Sequence, residues 1–183
     1  NGVVQPKICD DKREARKTFG FKSDRIVLGA LGNIRPAKNY RNFILAVKVL
    51  HDSGVSVEAV IAGDGANALQ TELEGLILEC GLKDVVRFLG FVEDTGMYLS
   101  ALDIFVISSS SEGLPLSLIQ AMMAKLNIIA TRCGVEEFIV DGEEGLIVDN
   151  DSPEALAKGI VKAMDCHVNE ESLGFRAKEK AER

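Results

Sequence analysis

Apolar positions along this chain follow two alternating rhythms. Short runs rich in β-branched residues recur at 25–31, 57–62, 85–89, 103–107, 127–130 and 145–148. Between them, apolar residues return every three or four positions. The first rhythm predicts strands buried on both faces and the second predicts amphipathic helices. A helix over 39–53 places Phe43, Ile44, Val47 and Leu50 on one face. The next carries Leu69, Leu73, Leu76, Ile77 and Cys80 on its inner stripe, with Gly81 just past its end. A short helix is expected over 93–101 and another over 115–124. Ser152-Pro153 then opens a helix with Leu156, Ile160 and Met164 inward, Pro153 at the first position where proline costs nothing. Strands alternating with helices in this way specify an α/β fold: a Rossmann-like parallel sheet of about six strands, with helices on both faces.

Length and charge narrow this picture. The 183 residues suffice for one well-cored domain and not for two ordinary ones, so residues 1–183 read as a single domain. A net charge of −7 opposes binding to nucleic acid backbones and gives no polybasic patch for a membrane. No apolar stretch approaches the ~18 residues of a membrane span. Cys9, Cys80, Cys133 and Cys166 lie 71, 53 and 33 apart, which suits neither a zinc site nor a disulfide framework. Reduced thiols in a cytoplasmic setting are expected. Asn1-Gly2-Val3-Val4 reads as the middle of a longer sequence, so a fragment is expected.

In such sheets, ligands sit beyond the carboxyl ends of the strands. That singles out loops 32–38, 63–65, 90–94 and 108–115. Gly32-Asn33-Ile34-Arg35-Pro36-Ala37-Lys38 sets a glycine and two cations between a strand and a helix, which makes an anion site or, more plainly, a solvated loop. Gly63-Asp64-Gly65-Ala66-Asn67-Ala68 matches the dinucleotide pattern, but Asp64 places a carboxylate where pyrophosphate would lie, so a tight turn is the plainer reading. The stretch 108–120 is the most informative. A strand stops, a serine-rich loop carries Glu112, and a helix starts at Pro115 with Gln120 further along it. Free N–H groups at that start can take phosphate oxygens, and Glu112 can accept sugar hydroxyls. The alternative makes Glu112 a charge favoured by the helix dipole. Asp149-Asn150-Asp151 precedes a helix cap, which explains it without a metal. The mixed-sign run Lys12, Arg13, Glu14, Arg16 and Lys17 reads as a solvated helix face. With His51 and His167 as the chain's two histidines, a histidine-based triad is not expected.

Taken in order, these segments resemble the C-terminal, nucleotide-sugar-binding domain of family-4 (group 1) retaining glycosyltransferases, which have the two-domain GT-B fold. The resemblance rests on Asn1-Gly2-Val3, the 32–38 loop, Gly63-Asp64-Gly65, Val86 to Val92, Ala101 to Val106, Gly134-Val135-Glu136-Glu137, Asp141-Gly142, Gly145 to Val148 and Pro153 to Leu156. Above all it rests on Glu112 and Gln120, spaced as in the family's E-x7-E signature and followed by Ala121-Met122-Met123-Ala124. The resemblance implies a donor such as a UDP-sugar, a hexosyl-type transfer in polysaccharide biosynthesis, and no metal or other cofactor. Lys38, helped by Arg35, would contact the diphosphate and Glu112 the sugar, these three being the catalytic candidates. Gly32, Asn33, Gly113, Leu114, Pro115 and Leu116 would line the donor site, Val92 would meet the base through its main chain, and Gln120 the ribose.

Two departures stand out: Asn33 occupies a position usually held by Arg, and Gln120 replaces the second Glu. The resemblance also implies a missing N-terminal acceptor domain, through which any membrane contact would run. Residues 170–183 would start a crossover helix toward it, frayed or docked on a neighbour when alone, and the isolated domain would be inactive. A dinucleotide-dependent oxidoreductase and a non-catalytic nucleotide-sugar-binding module are the competing functions. An amide offers the ribose one acceptor where a carboxylate offers two. Gln120→Glu should therefore tighten nucleotide binding and leave inorganic diphosphate binding unchanged, as read by calorimetry with both ligands.

Overall fold

A computed structural model describes residues 6–65, 68–165 and 173–182. Strands β1 (Ile26–Leu31), β2 (Val57–Ala62), β3 (Val86–Gly90), β4 (Ile104–Ile107), β5 (Asn127–Thr131) and β6 (Leu146–Val148) form one sheet in the order β3-β2-β1-β4-β5-β6. Every pairing is parallel. The helices are α1 (Lys12–Phe19), α2 (Tyr40–Asp52), α3 (Ala68–Glu79), α4 (Thr95–Ser100), α5 (Leu116–Met123), α6 (Pro153–Met164) and α7 (Leu173–Ala181). All six expected strands are present within a residue or two of their expected ends.

Side chains alternate across a strand, so a sheet covered on both sides needs apolar residues at odd and even positions alike. Leu28 and Ala30 of β1, Ala59 and Ile61 of β2, and Ile104 and Val106 of β4 face a core built with α2, α3 and α6. Val27, Val60, Phe105 and Ile107 face a second core built with α1, α4 and α5. Glu58 interrupts the run in β2 at 5% exposure, and accepts from Arg87 Nη2 at 2.6 Å and Lys22 N at 3.0 Å. Burial of that carboxylate is therefore compensated by charge and hydrogen bonds together.

At the amino edge of the sheet, Asp103 gathers α1. Its carboxylate accepts from Lys12 Nζ at 2.6 Å, from Arg16 Nη2 and from Val27 N at 2.7 Å. Arg16 also donates to Ala101 O. The basic run is thus not wholly a solvated face: Arg16 is a tether between α1 and the start of β4, while Arg13 and Lys17 remain exposed.

The carboxyl-terminal segment also departs from expectation. Far from fraying, α7 docks on its own domain, with Leu173 5% and Ala177 0% exposed. Gly174 N donates to Asn127 Oδ1 at 3.3 Å, Arg176 Nε to Glu143 O at 2.7 Å, and Lys180 pairs with Glu144. Leu173 and Ala177 enter the interior, while Phe175 lies half-buried under the Lys125 ammonium, which sits 5.1 Å from its ring centroid. The readings that involve residues 1–4, Ala66, Asn67, Cys166, His167, Glu170 and Arg183 fall outside the described residues. Removing a buried leucine side chain costs ~2–4 kcal/mol. Leu173→Ala should lower the urea midpoint of the domain accordingly, whereas a detached tail would leave it unchanged.

Candidate functional site

The strand order reverses at β1. From it the chain runs outward to β2 and β3 on one side, then returns to add β4, β5 and β6 on the other. The connections leaving β1 and β4 therefore part to opposite faces and leave a crevice beyond the strand ends. A cleft of about 440 Å³ lies there. Gly32, Asn33, Arg35, Ala37 and Lys38 line it from the β1–α2 loop; Ser111, Glu112, Leu114, Pro115, Leu116, Ser117 and Gln120 line it from the β4–α5 loop and α5. Two loops that lie more than seventy residues apart in sequence thus form one site.

Hydrogen bonds stitch these loops together. Ser108 Oγ donates to Lys38 O at 2.8 Å and Ser110 N to Ala37 O at 2.8 Å. Across them, Lys38 Nζ lies 2.7 Å from Glu112 Oε1. Ser109 Oγ donates to the same Oε1 at 2.5 Å, and Thr131 Oγ1 holds Ser109 O at 2.5 Å. Glu112 N donates to Cys133 O at 2.7 Å. Glu112 Oε2 accepts no hydrogen bond from the described residues.

Gly32 decides where Lys38 can lie. Its φ of +148° is a region that side chains rarely adopt, and a Cβ there would come within 2.8 Å of Lys38 Cε. Tyr40, 3% exposed, donates its hydroxyl to Gly32 O at 2.7 Å. Burial, reinforced by the Glu112 charge, pushes that phenol far up, so it stays a neutral donor.

The 63–65 turn packs tightly against the 32–34 loop, in keeping with the plain tight turn. A Cβ on Gly63 would meet Gly32 O at 2.1 Å, and one on Gly65 would meet Ile34 Cβ at 2.4 Å. Ile34 N also donates to Asp64 O at 2.9 Å. These glycines let the turn press against the 32–34 loop, and none of the three residues lines the cleft.

Most of the residues singled out in the sequence converge. Arg35, Lys38, Glu112, Gly32, Asn33, Leu114, Pro115, Leu116 and Gln120 all face the cleft. Gly113 is exposed beside it, and Val92 is half-buried against the core beyond β3; neither lines it. At the start of α5, Leu116 N turns back to Leu114 O at 2.9 Å. The N–H groups of Gly113, Leu114 and Ser117 take no acceptor among the described residues. Asp151, of the D-x-D, accepts from Asn39 Nδ2 at 2.7 Å and so ties the start of α6 to α2.

Comparison with known proteins carries this geometry further. The family model described as "Glycosyl transferases group 1" matches residues 11–180. The chain belongs to the group 1 glycosyltransferases. A lipopolysaccharide core biosynthesis mannosyltransferase, LpsB of Rhizobium meliloti, is 29% identical over 161 residues, which is 85% of this chain and 46% of that protein. LpsE of the same organism, a lipopolysaccharide core biosynthesis glycosyltransferase, is 32% identical over 146 residues, covering 79% and 41%. The chain spans about half the length of the curated relatives it matches.

Among solved structures, Anabaena Alr3699/HepE in complex with UDP and glucose superposes with a TM-score of 0.86 at 22% identity, over 93% of this chain and 47% of that one. The C-terminal domain of a group 1 glycosyl transferase family protein, LpcC from Francisella tularensis, matches with a TM-score of 0.79 at 26% identity, over 98% of this chain and 92% of that one. These likenesses bear out the α/β Rossmann-like fold.

Sequence reasoning missed three side chains that brace this cleft: Ser109, Thr131 and Tyr40. Each is an ordinary hydroxyl in a strand end, loop or helix start. The available signals were a serine three residues before Glu112 and a tyrosine two residues after Lys38. An intramolecular hydrogen bond contributes ~1 kcal/mol. Tyr40→Phe should cost about that much stability in urea unfolding. It should also loosen the Gly32 loop, read as faster amide exchange over residues 32–38.

Proposed function

We propose that the chain is the donor-binding domain of a retaining glycosyltransferase, which moves a sugar from a nucleoside-diphosphate sugar to a glycan, lipid or other acceptor. One observation carries the reading. Lys38, Arg35 and unengaged N–H groups at the start of α5 face a carboxylate, Glu112, across a cleft at the point where the strand order reverses. Cations and a helix start suit a diphosphate. A carboxylate with one free oxygen suits sugar hydroxyls. Family membership and neighbours solved with UDP or UDP-glucose support the same assignment.

The chemistry follows from those groups. Breaking the bond between the anomeric carbon and the phosphate oxygen leaves growing negative charge on the diphosphate. Lys38 and Arg35 stabilise that charge in place, and removing one such prearranged partner typically raises a barrier by ~3–4 kcal/mol. Glu112 orients the sugar, and Gln120 faces the ribose. The base meets the chain near Val92, and no metal takes part.

The acceptor would be held by an N-terminal domain, since the relatives are about twice as long as this chain. Any membrane contact would be made there, and the enzyme would work in the cytoplasm. Alone, these 183 residues would bind a donor without turning it over, because an unpositioned acceptor forfeits up to ~7–11 kcal/mol of proximity effect.

Thermal unfolding in the presence of nucleoside diphosphates, nucleotide sugars and NAD(P) tests the reading. A ligand at about 100 times its Kd adds ~2.7 kcal/mol of stability. Stabilisation by the first two classes and not by NAD(P) is expected. By calorimetry, Lys38→Ala should weaken nucleoside diphosphate binding by ~1.5–3 kcal/mol, the range for a charged hydrogen bond. Unchanged affinity would remove Lys38 from the site.

A further inference from the structure

We infer that Glu112 is a selectivity element that admits a sugar-bearing diphosphate and penalises a bare one. The inference rests on the donor-site reading and concerns how the same cleft separates substrate from product. In the structure, the cation best placed for a diphosphate is already engaged: Lys38 Nζ lies 2.7 Å from Glu112 Oε1, with the two side chains 18% and 12% exposed. This is no loose surface pair. Ser109, 1% exposed, donates to that same Oε1, and Thr131 pins Ser109 from behind. The Glu112 backbone is held by Cys133 O, and the Lys38 carbonyl by Ser108 Oγ. These contacts hold the carboxylate beside Lys38 when an anion arrives.

A diphosphate bound at Lys38 must share the ammonium with Glu112 and sit beside a fixed like charge, in a site shielded enough for that charge to be felt. Lys38 has three donors, so the ammonium is not blocked; the cost is electrostatic. A complete donor offsets it. Its sugar hydroxyls donate to the free Oε2, giving the carboxylate partners that a bare diphosphate lacks. Once the glycosyl group has left, those partners go with it, and Glu112 again opposes the diphosphate and reclaims Lys38. The same charge thus favours substrate entry and product departure.

The test is calorimetry on the 183-residue chain and its Glu112→Gln variant, with inorganic diphosphate, uridine and guanosine diphosphates, and their glucose and mannose conjugates. Glu112→Gln should bind inorganic diphosphate and the nucleoside diphosphate about tenfold more tightly, while the sugar conjugate gains nothing or weakens. Glu112→Asp, which draws the carboxylate back by one methylene, should give a smaller gain. Ser109→Ala keeps the charge and should give none, which separates charge from simple loosening of the loop. In a Lys38→Ala background the gain from Glu112→Gln should shrink, as a shared partner requires. Binding to both forms with no tightening of the bare diphosphates would overturn the selectivity role and leave the donor site standing. Absence of binding by every ligand to both forms would overturn both.

Discussion

The central position of β1 is the constraint on which the rest of this molecule depends. Because the chain builds outward from β1 to one side and then to the other, the loops after β1 and β4 diverge above adjacent strands. No backbone of the described residues fills the gap between them. The cleft is thus a consequence of connectivity, and the residues that line it are those that happen to follow two strands more than seventy positions apart. Sheet register then brings Lys38 within reach of Glu112, and hydroxyls beneath the loops fix both.

Two kinds of interaction hold the domain, and they are spatially separated. The interior is apolar on both faces of the sheet, with Phe43, Ile44 and Leu50 under one layer and Tyr98, Phe105 and Leu118 under the other. Charge is used at the sheet's two edges. Toward the amino ends, Asp103 and Glu58 collect cations and backbone donors to seat α1 and the 19–22 turn. Toward the carboxyl ends, Lys38 and Glu112 form a pair whose geometry is equally well supported but whose remaining valences point outward. The first pairs are saturated by their surroundings. The second retains a carboxylate oxygen without a hydrogen bond from the described residues and spare ammonium donors, as the proposed donor site requires.

The two glycine-rich turns show how similar local patterns diverge. Gly32 is needed so that Lys38 can fold over the loop, and it lines the cleft. Gly63 and Gly65 are needed so that one turn can press on another, and they do not line the cleft. A strand-glycine-helix pattern therefore specifies close approach of some group to the backbone; the identity of that group is a tertiary matter.

The sequence by itself determined the fold of this glycosyltransferase domain, because burial on both sheet faces forces near-continuous apolar strands, and helices must then show a 3.6-residue stripe. Both signals are local and additive along the chain, so six strands and their intervening helices were legible. It also marked Arg35, Lys38, Glu112 and Gln120, whose chemistry is unusual beside a strand end. Only the tertiary structure decided that Lys38 and Glu112 pair with each other, that Ser109 and Thr131 fix the carboxylate, and that Gly113 lies beside the cleft while Val92 packs half-buried beyond β3. It also decided that the charged tail folds back, since three buried positions, Leu173, Gly174 and Ala177, outweigh its polar composition once β5 and α5 offer them a surface. Such facts depend on distances between segments remote in sequence, and a periodic pattern carries no information about what stands opposite a side chain in space.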